Sequence, residues 1–181
     1  MVYIEKDDWK QVAELMLSSA EKLKKCGAGF LICPDNTIHQ AFPYIYKKSK
    51  YVWLHIAGIV ARSAKSSGFR KLAVLGTRYL MDGPVYREVL EAEGIAYLIP
   101  SSEDRENINT KIFNELVNGI FKEKTRLFFN DIIQRMKLQG CDAAVLGCTE
   151  IPLIVDPGDC PLPVLDSTRL LARAAIDYAC T

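Results

Sequence analysis

Two stretches of this chain follow one plan at an offset of 113 residues, Gly27 against Gly140. The first reads Leu23-Lys24-Lys25-Cys26-Gly27, then an apolar run to Cys33, then Asp35-Asn36-Thr37. The second reads Met136-Lys137-Leu138-Gln139-Gly140, then Ala143-Ala144-Val145-Leu146, then Gly147 and Cys148-Thr149-Glu150. Each is the tail of a helical stripe, a Gly, a short buried strand and a polar turn. An internal repeat of this kind points to two similar units. It puts Asp35 and Cys148, each eight positions past its Gly, at equivalent places on opposite sides of one cleft. Open α/β sheets carry out chemistry just beyond the carboxyl ends of their strands. Cys148, the first residue past Gly147, is thus a candidate nucleophile or base.

The rest of the chain fits that plan. A stripe of Trp9, Val12, Ala13, Leu15, Met16, Ala20 and Leu23 predicts a helix, with Asp7 or Asp8 as cap. Residues 30–33 read as a strand, and a short helix follows the polar turn toward Phe42. Further helices are expected over 53–67 (with His55 in mid-helix), 81–93, 104–119, 124–139 and 168–178. Strands are expected over 72–75, 95–99, 143–146 and 164–165. Helices alternating with short apolar strands predict an α/β fold: parallel sheets flanked by helices, in two pseudo-symmetric lobes. The expected division is 1–67 plus 166–181 for the first lobe and 68–165 for the second. The first lobe is incomplete at its N-terminus, since one clear strand precedes residue 68 and one strand is no sheet. It must borrow the last strand and helix or have lost strands at its start.

Composition narrows the function. With 23 Lys plus Arg against 22 Asp plus Glu, the net charge of +1 argues against a nucleic-acid partner. No apolar run approaches the roughly 20 residues that span a bilayer, so no membrane partner is expected. The N-terminus lacks the pattern of a signal peptide. Six Cys occur without a Cys-x-x-Cys, beside two His. Reduced thiols of a cytoplasmic protein fit better than a disulfide framework or a metal site.

A thiolate is a good carbon base once its pKa is lowered. A helix N-terminus after Cys148-Thr149-Glu150 is expected to lower it and to receive a substrate carboxylate. Asn36, Thr37 and Thr77 add small uncharged donors, which suits a small dicarboxylate. Each residue also has a plain reading. Cys148 is then a buried small hydrophobe, Asp35 a cap or Asx turn, and Asn36 and Thr37 turn residues. Thr77 is a cap, and His39 a surface or hydrogen-bonded histidine.

Leu146-Gly147-Cys148-Thr149-Glu150-Ile151-Pro152-Leu153 resembles the second catalytic motif of the aspartate/glutamate racemase family. Leu75-Gly76-Thr77-Arg78 through Gly83 resembles its central Gly-Thr motif. The run 107–119 and the ending Asp166-Ser167-Thr168-Arg169 also fit. Glu150 favours the aspartate branch, because glutamate racemases usually have His there. The resemblance implies racemisation of an acidic amino acid or related dicarboxylate, without pyridoxal phosphate, another cofactor or metal. Two thiols flank Cα in the family, one removing the proton and the other returning one. Carried over, Cys148 is one base; Asn36, Thr37, Thr77 and Thr149 contact substrate, and Glu150 tunes Cys148. The resemblance also implies a homodimer.

Three departures stand out. Asp35 occupies the place of the first thiol, with Cys33 two residues off on the same face. The resemblance also implies a further N-terminal segment, holding a strand, a Gly-rich turn and a basic residue, which is expected to be missing here or supplied differently. Asn118 stands where a Lys is common. They leave two alternatives open: a one-base isomerase or decarboxylase of a small carboxylate, and a catalytically impaired paralogue that binds one.

Overall fold

The computed structural model describes residues 2–180. Six strands and nine α-helices alternate along them, and every strand pairing is parallel. A four-stranded sheet is ordered β4 (Ala96–Leu98), β3 (Lys71–Leu75), β5 (Ala143–Leu146), β6 (Val164–Asp166). A two-stranded sheet pairs β1 (Leu31–Ile32) with β2 (Trp53–Leu54).

The larger sheet is covered on both faces, which is why its strands carry apolar residues in unbroken runs. Leu72 and Val74 of β3, with Ala143 and Val145 of β5, face α4 (Ile56–Ser66) and α6 (Val85–Ala92). Ala73, Leu75, Ala144 and Leu146 face the other way, onto α7 (Ser102–Asn114) and α8 (Glu123–Leu138). In the smaller lobe, α2 (Trp9–Lys25) lays Trp9, Val12, Ala13 and Met16 against Phe42 and Ile45 of α3 (Phe42–Tyr46). Helix α9 (Ser167–Ala179) packs on α4 through Leu171, Ile56 and Ile59.

The two repeated stretches share their backbone geometry. Gly27 and Gly140 take φ of 91° and 90°. Around them the bonds Ala28 N–H to Leu23 C=O and Gly27 N–H to Lys24 C=O match Cys141 to Met136 and Gly140 to Lys137. This is the Schellman ending, in which a left-handed residue lets two otherwise unbonded carbonyls be satisfied. The same two bonds close the helices before Gly68 and Gly94.

Several element boundaries differ from the sequence expectation. Residues 53–54 are strand β2, not helix, and His55 is the N-cap of α4, its Nδ1 accepting from Gly58 N–H at 3.3 Å. The apolar stripe runs through the cap and hides the change of conformation. The helix expected over 81–93 is two: α5 (Arg78–Asp82) and α6, parted at Gly83-Pro84, where Pro lacks the N–H to continue. The helix expected to Gly119 stops at Asn114 and tightens to a 3-10 turn over Leu116–Asn118, ending at Gly119 with φ 70°. A short 3-10 turn, Thr37–Ala41, follows the first polar turn.

Candidate active site

From β3 the chain crosses to β4 on one side, and the next strand, β5, lies on the other. Such a reversal opens a crevice beyond the carboxyl ends of the two strands. Gly147 N–H bonds to Leu75 C=O at 2.7 Å there. A Cβ on Gly76 would stand 3.0 Å from Gly147 O, and one on Gly147 would stand 2.9 Å from Leu75 O. Both also meet the Leu80 side chain, which is buried. The glycines of the two motifs are therefore steric requirements of strand ends packed backbone to backbone.

The end of β1 faces this crevice and closes it into a cleft of about 270 Å³. Asp35, Asn36, Thr37, Thr77, Cys148, Thr149 and Glu150, all singled out from sequence, line it together. His39 and His55 do not line it. His39, 2% exposed, uses Nε2 on the Cys33 carbonyl at 3.0 Å, and its ring meets His55 at 4.6 Å between centroids. Facing a carbonyl, Nε2 must carry the proton.

Cys148 is 9% exposed, and its Sγ–H donates to Glu150 Oε2 at 2.9 Å. Burial pushes the thiol well above its usual range. The bond to Glu150 and the carboxylate charges of Glu150 and Asp35 push it further, and one backbone N–H from Glu150 pulls the other way. The expected activating helix does not form. Cys148 is followed only by the 3-10 turn Ile151–Leu153, with Pro152 in it, so no row of free N–H groups reaches the sulfur. The resting group is a thiol.

Asp35 accepts Ile38 N–H on Oδ1 at 3.2 Å, so it does make the turn its sequence suggested. It lies on the solvent-facing rim of the cleft. Its pKa is raised, first by the protein that replaces water around it and also by the Glu150 charge, against the Ile38 and Thr37 N–H groups.

Thr37 Oγ1 and Thr77 Oγ1 are 2.9 Å apart, one hydroxyl from each half of the cleft. Thr77 also caps α5, accepting Leu80 N–H at 3.2 Å, so its structural and site readings hold at once. The Asn36 amide is spent inside the protein. It donates to Ser167 Oγ and accepts from the Tyr86 hydroxyl. Tyr86 and Ser167 were missed from sequence. Ser167 lies within the Asp166-Ser167-Thr168-Arg169 motif and was open to notice; Tyr86 sits on the buried stripe of α6 and gave no signal. The wall opposite the strand ends, with Ile4, Tyr79, Ile112, Phe113 and Val117, was also missed.

The sequence pattern of the Asp/Glu/hydantoin racemases matches residues 3–175. The chain is 22% identical over 169 residues to the broad-specificity amino-acid racemase RacX of Bacillus subtilis, spanning 93% of this chain and 73% of that one. A crystal structure of a Yersinia pestis protein assigned to the Asp/Glu racemases superposes with a TM-score of 0.90 at 37% identity. That match covers 99% of this chain and 78% of the other. An aspartate racemase homologue from Pyrococcus horikoshii superposes with a TM-score of 0.85 at 29% identity, over 97% and 77% of the two chains. Taken with the two-lobed parallel α/β fold, these matches identify the chain as a member of the Asp/Glu/hydantoin racemase family.

Proposed function

We propose that the cleft moves a proton at Cα of an amino acid without a bound cofactor. Cys148 is the principal acid–base group, and Asp35 faces it from the other half. The observation that carries this reading is a buried thiol donating to Glu150 in the same cleft as a carboxylate of raised pKa. The hydroxyls of Thr37, Thr77 and Thr149 and the loop N–H groups hold the substrate carboxylate. Aspartate and glutamate, which give the family its name, are the first candidates, and a cytoplasmic homodimer is the proposed setting.

In the resting state Asp35 is the proton acceptor and Cys148 the donor. Asp35 takes the Cα proton from one face, and the electron pair left behind delocalises into the substrate carboxyl group. The Cys148 S–H then protonates the opposite face. Product leaves behind a protonated Asp35 and a Cys148 thiolate, and proton exchange with water restores the start. Two thiols would make the two charge states equal. An ordinary carboxylate and thiol differ by about 4.6 pKa units, or roughly 6 kcal/mol. The thiolate state also sits beside the Glu150 carboxylate. Exchange is therefore expected to be strong for one enantiomer and weak for the other.

The protonated thiol supports a second reading, one-sided protonation of a carbanion left by decarboxylation of a small carboxylate. Proton NMR in D2O tests both, following the Cα–H signal of each enantiomer of aspartate and glutamate and any loss of CO2. Cys148→Ser should abolish inversion and the one-sided protonation, leaving only washout through Asp35 with retained configuration. Asp35→Cys should bring the two enantiomers toward equal exchange. Inversion at Cα that survives Cys148→Ser would sink the reading.

A further inference from the structure

The cleft has a polar side and an apolar side. Its polar side is the row of strand ends already described. Its apolar side is built from four elements: Ile4 of α1 (Val2–Glu5), Tyr79 of α5, Ile112 and Phe113 of α7, and Val117 of the following 3-10 turn. Among the described residues lining the cleft, the charged side chains are Asp35 and Glu150, and both are carboxylates.

Four cations close to the cleft residues in sequence are engaged outside it. Arg78 faces Glu106 at 3.4 Å and lies 5.3 Å from the centre of the Tyr79 ring. Arg105 pairs with Asp82 at 2.7 Å, and Lys122 with Glu115 at 3.2 Å. Lys111 lies over the Phe128 ring.

We infer that the substrate is an amino acid with an apolar side chain, lodged against the wall of Ile4, Tyr79, Ile112, Phe113 and Val117. This rests on the proton-transfer reading of the same site and changes the substrate class within it. The three substituents of such an amino acid match three different surfaces. Its α-carboxylate meets the threonine hydroxyls and loop N–H groups, and its α-ammonium meets Glu150 and Asp35. Its side chain covers the apolar wall and removes it from water. A second carboxylate, as in aspartate or glutamate, would meet apolar carbon on one side and two like charges on the other. It would lose hydration with no cation among the described lining residues to replace it. Val117, 54% exposed, shows that the wall reaches the mouth of the cleft, where longer side chains extend.

Binding and chemistry separate in the test. Calorimetry with α-methyl-leucine and α-methyl-phenylalanine against α-methyl-aspartate and α-methyl-glutamate reads binding alone, since none has a Cα–H. In parallel, Cα exchange in D2O compares leucine, methionine and phenylalanine with aspartate and glutamate. The expected preference for the apolar class is at least about tenfold, the effect of burying part of one aliphatic side chain. Val117→Lys, at an exposed position that tolerates charge, should erase that preference by gaining affinity for the acidic analogues. Equal or tighter binding of the acidic analogues by the wild type overturns the inference, as does a Val117→Lys variant with an unchanged ratio. Tighter binding of the apolar class with no exchange of any amino acid supports the substrate class and removes the proton-transfer reading. Exchange of aspartate and glutamate alone does the reverse.

Discussion

The Asn36 side-chain amide donates to the Ser167 hydroxyl at 2.9 Å, joining residues 131 positions apart. Ser167 passes its own proton to the Leu146 carbonyl at 2.8 Å, and Tyr86 O–H donates to Asn36 Oδ1 at 2.7 Å. All three side chains are buried. The chain of bonds ties the neighbour of Asp35 to the last residue of β5, two positions before Cys148. The separation of the two candidate acid–base groups is thus fixed by a buried polar relay, and Asn36 acts as a positioning residue.

The relay predicts a ranked loss of stability. Tyr86→Phe orphans one buried acceptor, Asn36 Oδ1. Ser167→Ala orphans two groups, an Asn36 N–H and the Leu146 carbonyl. Each orphan costs about 1–3 kcal/mol, so Ser167→Ala should lose more than Tyr86→Phe in urea unfolding. Equal losses would mean that the relay relaxes around the gap.

The glycines at the strand ends predict a steric penalty. Gly147→Ala places a Cβ 2.9 Å from a backbone carbonyl that sits within the sheet and cannot yield. Gly76→Ala meets Gly147 O at 3.0 Å and the buried Leu80 at 2.6 Å. Forcing a methyl into packed space costs about 1–3 kcal/mol. Gly158→Ala, whose Cβ meets only a side-chain oxygen at 3.4 Å, is the comparison expected to stay near wild type in thermal unfolding.

Much of this was legible because it is local. The Gly, apolar run and polar turn around Cys148 specify a strand end and what stands beyond it. The repeat supplied its counterpart at Asp35, and the cleft that joins them follows from parallel sheet topology. The apolar wall was not legible, because Ile112 and Phe113 look like any helix stripe until α7 is seen to cross the strand ends. Nor was the relay: Tyr86 reads as a core aromatic, and only tertiary contact shows where its hydroxyl goes. The state of Cys148 was misjudged for a similar reason. A row of N–H groups requires a real helix, and Pro152 permits only a 3-10 turn.

Glu150 predicts the response of the thiol. Its carboxylate accepts the Cys148 S–H and repels the thiolate, and both raise the thiol pKa on top of burial. Glu150→Gln removes the charge and offers an N–H to the thiolate, so the pKa of Cys148 should fall. The check is the pH dependence of iodoacetamide labelling, read by mass spectrometry at the Cys148 peptide, since Cys26 and Cys180 are exposed and react independently. An unchanged midpoint would assign the rise to burial and the Asp35 charge alone.

The histidine pair predicts a loss of stability in acid. Burial lowers the pKa of His39 from 6.5 to about 3, helped by the charge of His55. Burial, with Arg62 nearby, lowers that of His55 to about 4. Between pH 6.5 and those values the unfolded chain holds protons that the folded chain does not, so stability falls as pH falls. Each histidine contributes a slope of about 1.4 kcal/mol per pH unit inside its window. Asp35 acts in the opposite sense. Its pKa is raised in the fold, so its protonation in acid offsets part of the loss. His39→Gln keeps a donor for the Cys33 carbonyl and removes the titrating ring. Urea unfolding from pH 7 to 4 should then show a shallower decline than wild type, by up to one proton's slope. Equal slopes would mean that the folded protein accommodates a charged His39, and that the His39–His55 contact opens without unfolding the lobe around it.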